Sequence, residues 1–165
     1  MFHDMRRREF LPALAAPLLI PSFAQGATGV SITGRLAAVR TAIDAAARAG
    51  TSTLGVFVGD SNTDADIAVA ALNQLKAHAE VKSVTLCIAK FDRLNWAVDV
   101  VERVNSPQVK ILFDVYHAQV TEGDIVNSIR KNIQHIGRID MGDQRLPELN
   151  YGFIEREIAK LTLDS

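Results

Sequence analysis

Three short apolar runs, each closing on a polar or charged residue and each followed by a stretch of helical period, most narrow what this chain can fold into. The runs are TLGVFVGD (Thr53 to Asp60), SVTLCIA (Ser83 to Ala89, then Lys90) and VKILFD (Val109 to Asp114). Their β-branched and aromatic content favours extended backbone. Between them apolar residues recur at helical spacing. Leu36, Val39, Ile43 and Ala47 mark one helix, closed by Gly50. Asp64 caps a second helix that runs to about Ala79 through Ile67, Ala71 and Leu75. Leu94 to Val104 is the next, and Ile125, Ile129 and Ile133 stripe another long one. GRIDMGD adds a fourth, weaker strand, and a last helix begins near Tyr151 with Ile154, Ile158 and Leu161 on one face.

Strands separated by helices of this length form parallel βαβ units, because parallel neighbours need a crossover connection. The near-continuous apolar runs predict a sheet buried on both faces. The class is α/β, and such folds bind ligands beyond the carboxyl ends of their strands. Asp60, Lys90, Asp114, His117, Asp140 and Asp143 fall at those ends. An Asp closing an apolar strand, with a His three residues later before a polar loop, therefore lies where this architecture puts its chemistry.

At 165 residues the chain suffices for one domain with a modest core. Its 18 basic and 19 acidic residues nearly cancel, and the body has no sustained basic run, so nucleic acid is not an expected partner. The single Cys87 lies inside an apolar run, which excludes an intramolecular disulfide and a Cys-rich zinc site and predicts core packing. The N-terminus departs from the rest. Arg6, Arg7 and Arg8 precede an apolar stretch from Phe10 to Phe23 and then small residues, the three-part plan of an export signal. Arg7 to Leu11 (RREFL) resembles a twin-arginine signal, cleavage fits after Ala24, and Met5 is an alternative start. The expectation is a signal over residues 1–27, a domain over 28–165 and a periplasmic or otherwise exported product. The apolar stretch is shorter than the ~20 residues of a membrane span.

GDSNTDAD (Gly59 to Asp66) is rich in oxygen donors but lacks the spacing and closing Glu of an EF-hand loop, so it reads as a strand-to-helix loop with a cap. The chain carries no Walker-type glycine loop, dinucleotide fingerprint or Gly-x-Ser-x-Gly elbow.

The blocks NSPQVKILFDVYHAQVTEGD, IRKNIQHIGRIDMGD and ELNY resemble the C-terminal half of the hydroxypyruvate isomerase family, within the xylose isomerase-like TIM barrels. AIDAAARAGTSTLGVFVGD and SVTLCIAKFDR are similar to its middle strands more loosely, so the resemblance covers about Arg35 to Leu161. It implies a partial (βα) TIM barrel of about four to five parallel strands alternating with helices. It also implies a divalent metal, Mg²⁺ or Mn²⁺, and proton transfer between adjacent carbons of a small hydroxy-carbonyl substrate. By the same resemblance, Asp114 stands at a metal-ligand Asp and His117 at a substrate-contacting His. Glu148, in ELNY, stands at a Glu that is both ligand and acid/base group. Asp140 stands where a His or Gln is usual and completes the expected metal set, and Lys90, at its strand end, joins His117 as a substrate-binding candidate.

The departures from the family pattern are specific. Ala89 occupies the place of a metal-ligand, catalytic Glu, and Gln144 to Pro147 replace a longer glycine-rich loop. The family's first three strands have no counterpart here. Four or five strands leave open edges, so self-association to a homo-oligomer is expected. The competing reading is a non-catalytic exported α/β protein that keeps a weak metal or small-molecule site.

Overall fold

The computed structural model describes residues 32–141 and 149–163. Four strands form one sheet in the order β1-β2-β3-β4, every pair parallel: β1 (Thr53–Val56), β2 (Thr85–Ile88), β3 (Val109–Asp114) and β4 (Ile136–Asp140). The order follows the chain because each crossover returns one strand further along. The helices are α1 (Ile32–Arg48), α2 (Ala65–Asn73), α3 (Lys76–Val81), α4 (Leu94–Val104), α5 (Val115–Thr121), α6 (Ile125–Asn132) and α7 (Tyr151–Leu163). The expected partial barrel of parallel strands alternating with helices is what the chain builds.

The core lies between one face of the sheet and the helices. Register places Leu54 beside Leu86 and Val56 beside Ile88, and then Ile88 beside Ile111, all buried. Onto this face α1 sends Ile43, α2 sends Leu72, and α4 sends Ala97, Val100 and Val104, each 0–1% exposed. Burial along β3 alternates strictly, with Val109, Ile111 and Phe113 inside and Lys110, Leu112 and Asp114 half-buried on the other side. The expected burial on both faces therefore holds in β2, where Cys87 on the opposite face is fully buried, and not in β3. The opposite face is the one a closed barrel turns inward, and the four described strands do not close around it.

Three local differences from the sequence reading have physical causes. The helix expected from Asp64 to Ala79 is two helices: at their junction the backbone tightens to i→i+3 bonds, Gln74 N to Ala71 O at 3.2 Å and Leu75 N to Leu72 O at 2.9 Å, and the Gln74 carbonyl also accepts from the Arg40 guanidinium at 2.8 Å. The polar loop expected after His117 starts later, because the seven-residue α5 carries the chain on to Thr121. The stripe through Ile133 tightens after Asn132 into a 3₁₀ turn, Ile133–His135, that delivers the chain to β4. Elsewhere the boundaries agree: Asp64 caps α2 through the Asp66 amide at 2.9 Å, and Gly50 takes the left-handed φ of +72° that ends α1. Cys87 is fully buried, and desolvation pushes its thiol up to about 11, which fits packing and not nucleophilic chemistry.

Candidate functional site

At the carboxyl ends of β2, β3 and β4 lies a cleft of about 490 Å³. Ala89 and Lys90 line it from β2, Asp114 from β3, Asp140 from β4, and Tyr116 and His117 from α5. Four sequence candidates, Lys90, Asp114, His117 and Asp140, therefore share one cavity. Glu148, and with it the expected metal triad, lies outside the described residues, as do Asp143 and residues 1–31 with the expected signal.

Asp114 and Asp140 meet through an irregularity in pairing. Ile111 pairs with Ile136, but Leu112 pairs with Arg138, so Gly137 is an extra residue on β4. Were Gly137 paired in register with Leu112 instead of bulged, Asp114 would face Ile139. With the bulge, Asp114 and Asp140 are register partners on adjacent strands, whose spacing of ~4.8 Å puts both carboxylates within reach of one ligand. Only Gly fits at the bulge: a Cβ there would sit 2.6 Å from Lys110 Cβ and 3.2 Å from Cys87 Sγ.

Asp114 is also the N-cap of α5, its Oδ1 accepting from the His117 amide at 2.9 Å. That is the Ncap-to-N3 relation, which explains the three-residue spacing seen in sequence. The His117 ring is held as well. Its Nε2 lies 2.8 Å from the Phe91 carbonyl, which can only accept, so Nε2 carries the proton and Nδ1 is left as the acceptor in the neutral ring. Capping and clasping thus order the same two residues that face the cleft.

Neighbouring contacts brace this end of the sheet. Glu122 Oε1 accepts from the Leu94 amide at 2.8 Å, capping α4 where Arg93 gives no side-chain cap. Between the loops after β1 and β2, Asp92 takes the Ser61 hydroxyl at 2.5 Å and the Ser61 amide at 2.8 Å, and these bonds hold its carboxyl below its ordinary range. Trp96 Nε1 donates to the Thr63 carbonyl at 3.1 Å and fixes the same loop to α4. Sequence reasoning passed over Glu122 and Asp92 because their partners lie 28 and 31 residues away.

The donors suit a hard divalent cation in kind. Asp114 and Asp140 offer carboxylate oxygens, and among the described residues no thiolate lines the cleft. Among the described residues no third His, Cys, Asp or Glu joins them in a cluster able to hold a metal. Ala89, just past β2, lines the same cleft, at the place the family resemblance gives to a ligating Glu.

Comparison with known proteins agrees with this geometry. A family model described as "Xylose isomerase-like TIM barrel" matches residues 26–154. A curated Danio rerio protein named "Putative hydroxypyruvate isomerase" is 31% identical over 72 residues, covering 39% of this chain and 26% of its own. A D-psicose 3-epimerase of Enterocloster bolteae is 31% identical over 93 residues, covering 52% of this chain and 31% of its own. Among solved structures, a D-psicose 3-epimerase crystallised in the presence of D-fructose superposes with a TM-score of 0.66 at 17% identity, over 79% of this chain and 53% of that one. The matches therefore span about a third or less of these curated relatives and about half of that structure. The chain belongs to the xylose isomerase-like TIM barrel family.

Proposed function

We propose that this protein is a metal-dependent isomerase of a small hydroxy-carbonyl substrate of the hydroxypyruvate type. The observation that carries the reading is the pairing of Asp114 with Asp140 across the Gly137 bulge, at the strand ends and inside a cleft. Asp114, Asp140 and Glu148 would hold Mg²⁺ or Mn²⁺, which when bound supplies Lewis-acid polarisation of a carbonyl. His117 orients the substrate: with Nε2–H held by the Phe91 carbonyl, its Nδ1 accepts from a substrate hydroxyl. Glu148 takes a proton from the hydroxyl-bearing carbon beside the carbonyl and returns it to the carbonyl carbon, while the hydroxyl proton passes to the former carbonyl oxygen, so atoms balance with no co-reactant. The family resemblance at ELNY supports that role.

Ala89 bears on the strength of this site. One donor fewer weakens metal binding and slows proton transfer, and Ala89→Glu tests both by adding a carboxylate at the rim. Calorimetric titration with Mn²⁺ should show tighter binding in Ala89→Glu than in wild type. Absence of Mn²⁺ binding by either form would contradict the reading and favour the non-catalytic alternative, which the Ala89 methyl supports.

Two further readings belong here. β1 and β4 end the described sheet with one edge each unpaired, and a second copy pairing β4 with β1 would bring the strand number to the eight of a closed barrel; homo-oligomerisation is the state we propose. Export through a twin-arginine route is proposed from Arg7 to Leu11 and the apolar stretch that follows. N-terminal sequencing of exported protein should then begin near Gln25, and a sequence still beginning at Met1 or Met5 would contradict it.

A further inference from the structure

We propose that Glu122 is a positioning residue for His117, acting through the turn between β2 and α4 and not on the substrate. The inference deepens the reading of His117 as the group that orients the substrate and rests on it. Residues 89–93 link Ile88, at the end of β2, to Leu94, at the start of α4. Among the described residues neither Phe91 nor Asp92 makes a backbone-to-backbone hydrogen bond. Side-chain contacts anchor the turn instead. The buried Phe91 and Leu94 side chains keep it on the core, but the direction of the Phe91 carbonyl is left to the hydrogen bonds.

α5 and the residue that closes it hold the turn at two points, with opposite polarity. His117 Nε2 donates to the Phe91 carbonyl at 2.8 Å, and Glu122 Oε1 accepts from the Leu94 amide at 2.8 Å. One bond alone would let the turn pivot about it; the second fixes the angle. On the helix side the two holding residues are tied to each other. Thr121 Oγ1 donates to the His117 carbonyl at 2.9 Å, and the Glu122 amide donates to the Ala118 carbonyl at 2.9 Å. A movement of the turn therefore falls on the bond at Nε2. The Leu94 amide belongs to the first turn of α4, where free N–H groups favour a negative charge and Arg93 supplies no cap. Asp92 anchors the turn as well, but to Ser61 in the loop after β1, which gives no hold toward α5. With the Phe91 carbonyl in place the neutral His117 ring keeps its proton on Nε2 and offers Nδ1. A carbonyl turned away frees the ring to take either tautomer.

The test uses the full chain with ¹⁵N-labelled histidine, in magnesium-containing buffer at about pH 8.5, where imidazole is neutral. NMR of the ring distinguishes the protonated nitrogen from the bare one. Wild type should show His117 protonated at Nε2, with that proton protected from exchange with water. Glu122→Gln, whose amide oxygen still accepts from Leu94, should give the same spectrum. Glu122→Ala should lose the protection and gain the Nδ1–H form. Glu122 is exposed, so its replacement leaves the core intact, and unchanged ring signals from His78 and His135 check this. A merely structural cap would lower the melting temperature of Glu122→Ala and leave the His117 tautomer alone. In hydroxypyruvate turnover, kcat/KM should fall roughly tenfold in Glu122→Ala, as a small misplacement of an orienting group predicts, and recover in Glu122→Gln. An unchanged His117 spectrum in Glu122→Ala, or the same change in Glu122→Gln, would overturn the proposal. The expected spectra with no turnover by any form would uphold the positioning of the ring and overturn the isomerase reading; turnover with an unchanged spectrum would do the reverse.

Discussion

Asp114 faces Asp140 because Gly137 is bulged out of the ladder between Ile136 and Arg138, shifting β4 by one residue against β3. The bulge turns Asp140 to the cleft side and is sterically restricted to glycine. Gly137→Ala should therefore act on stability and on the site together. A Cβ placed 2.6 Å from Lys110 Cβ forces the strands apart, with an expected cost of about 1–3 kcal/mol. Urea unfolding should show that loss, and Mn²⁺ titration of the folded fraction should show weakened binding. Unchanged stability and metal affinity would mean that the bulge does not set the register.

How much of this was legible in the sequence follows from the range of each interaction. The bounds of α4 and β3 match the expectation because apolar period and caps are local. Asp114 and His117 were legible as a pair for the same reason: a cap and its amide are three residues apart. The Arg40 contact at the Gln74 break was not, since its partners lie 34 residues apart. The facing of Asp114 and Asp140 was hidden too, because a bulge belongs to a pair of strands and leaves only a glycine in one of them. The apolar runs suggest two buried faces, which β2 has through Cys87, whereas burial in β3 alternates strictly. Lys110 and Asp114, four positions apart and so on one face of the strand, are the signal for that outcome.

The loop clamp at Asp92 should respond to acid in one direction. Its carboxyl is held below the ordinary 3.8, first by the Ser61 hydroxyl and then by the Ser61 amide. A depressed carboxylate contributes stability above its unfolded pKa and loses it as pH falls through the lower folded value. The Ser61 amide resonance should therefore stay unchanged down to about pH 4 and move only below it. Asp92→Asn should abolish that titration. A Ser61 shift centred above pH 4 would contradict the clamp.

Self-association through the free edge of β1 can be tested without harming the sheet. The β1 carbonyls that accept from β2-side amides are Ser52 and Val56, from Thr85 and Ala89, so by alternation the Gly55 amide points away from β2. Proline at an outward-facing position removes an edge donor and no internal bond. A Cβ at Gly55 would meet only Leu112 at 3.8 Å and Ala89 at 4.0 Å. Gly55→Pro should stay folded and sediment near the 18.0 kDa of one chain, with wild type sedimenting as a larger species. Wild type and variant sedimenting alike would argue against β1 edge pairing.

The most direct test of the central claim is deuterium wash-in at the hydroxymethyl carbon of hydroxypyruvate, followed by NMR in D₂O with Mn²⁺ replaced by Mg²⁺ to keep the lines sharp. Exchange above the enzyme-free rate is expected in wild type, with a rise in Ala89→Glu. Asp114→Asn should fall to background: its side-chain oxygen still caps α5, so the fold persists while the carboxylate is lost. Exchange in Asp114→Asn equal to that of wild type, or no exchange by any form under magnesium saturation, would contradict metal-assisted isomerisation at this cleft.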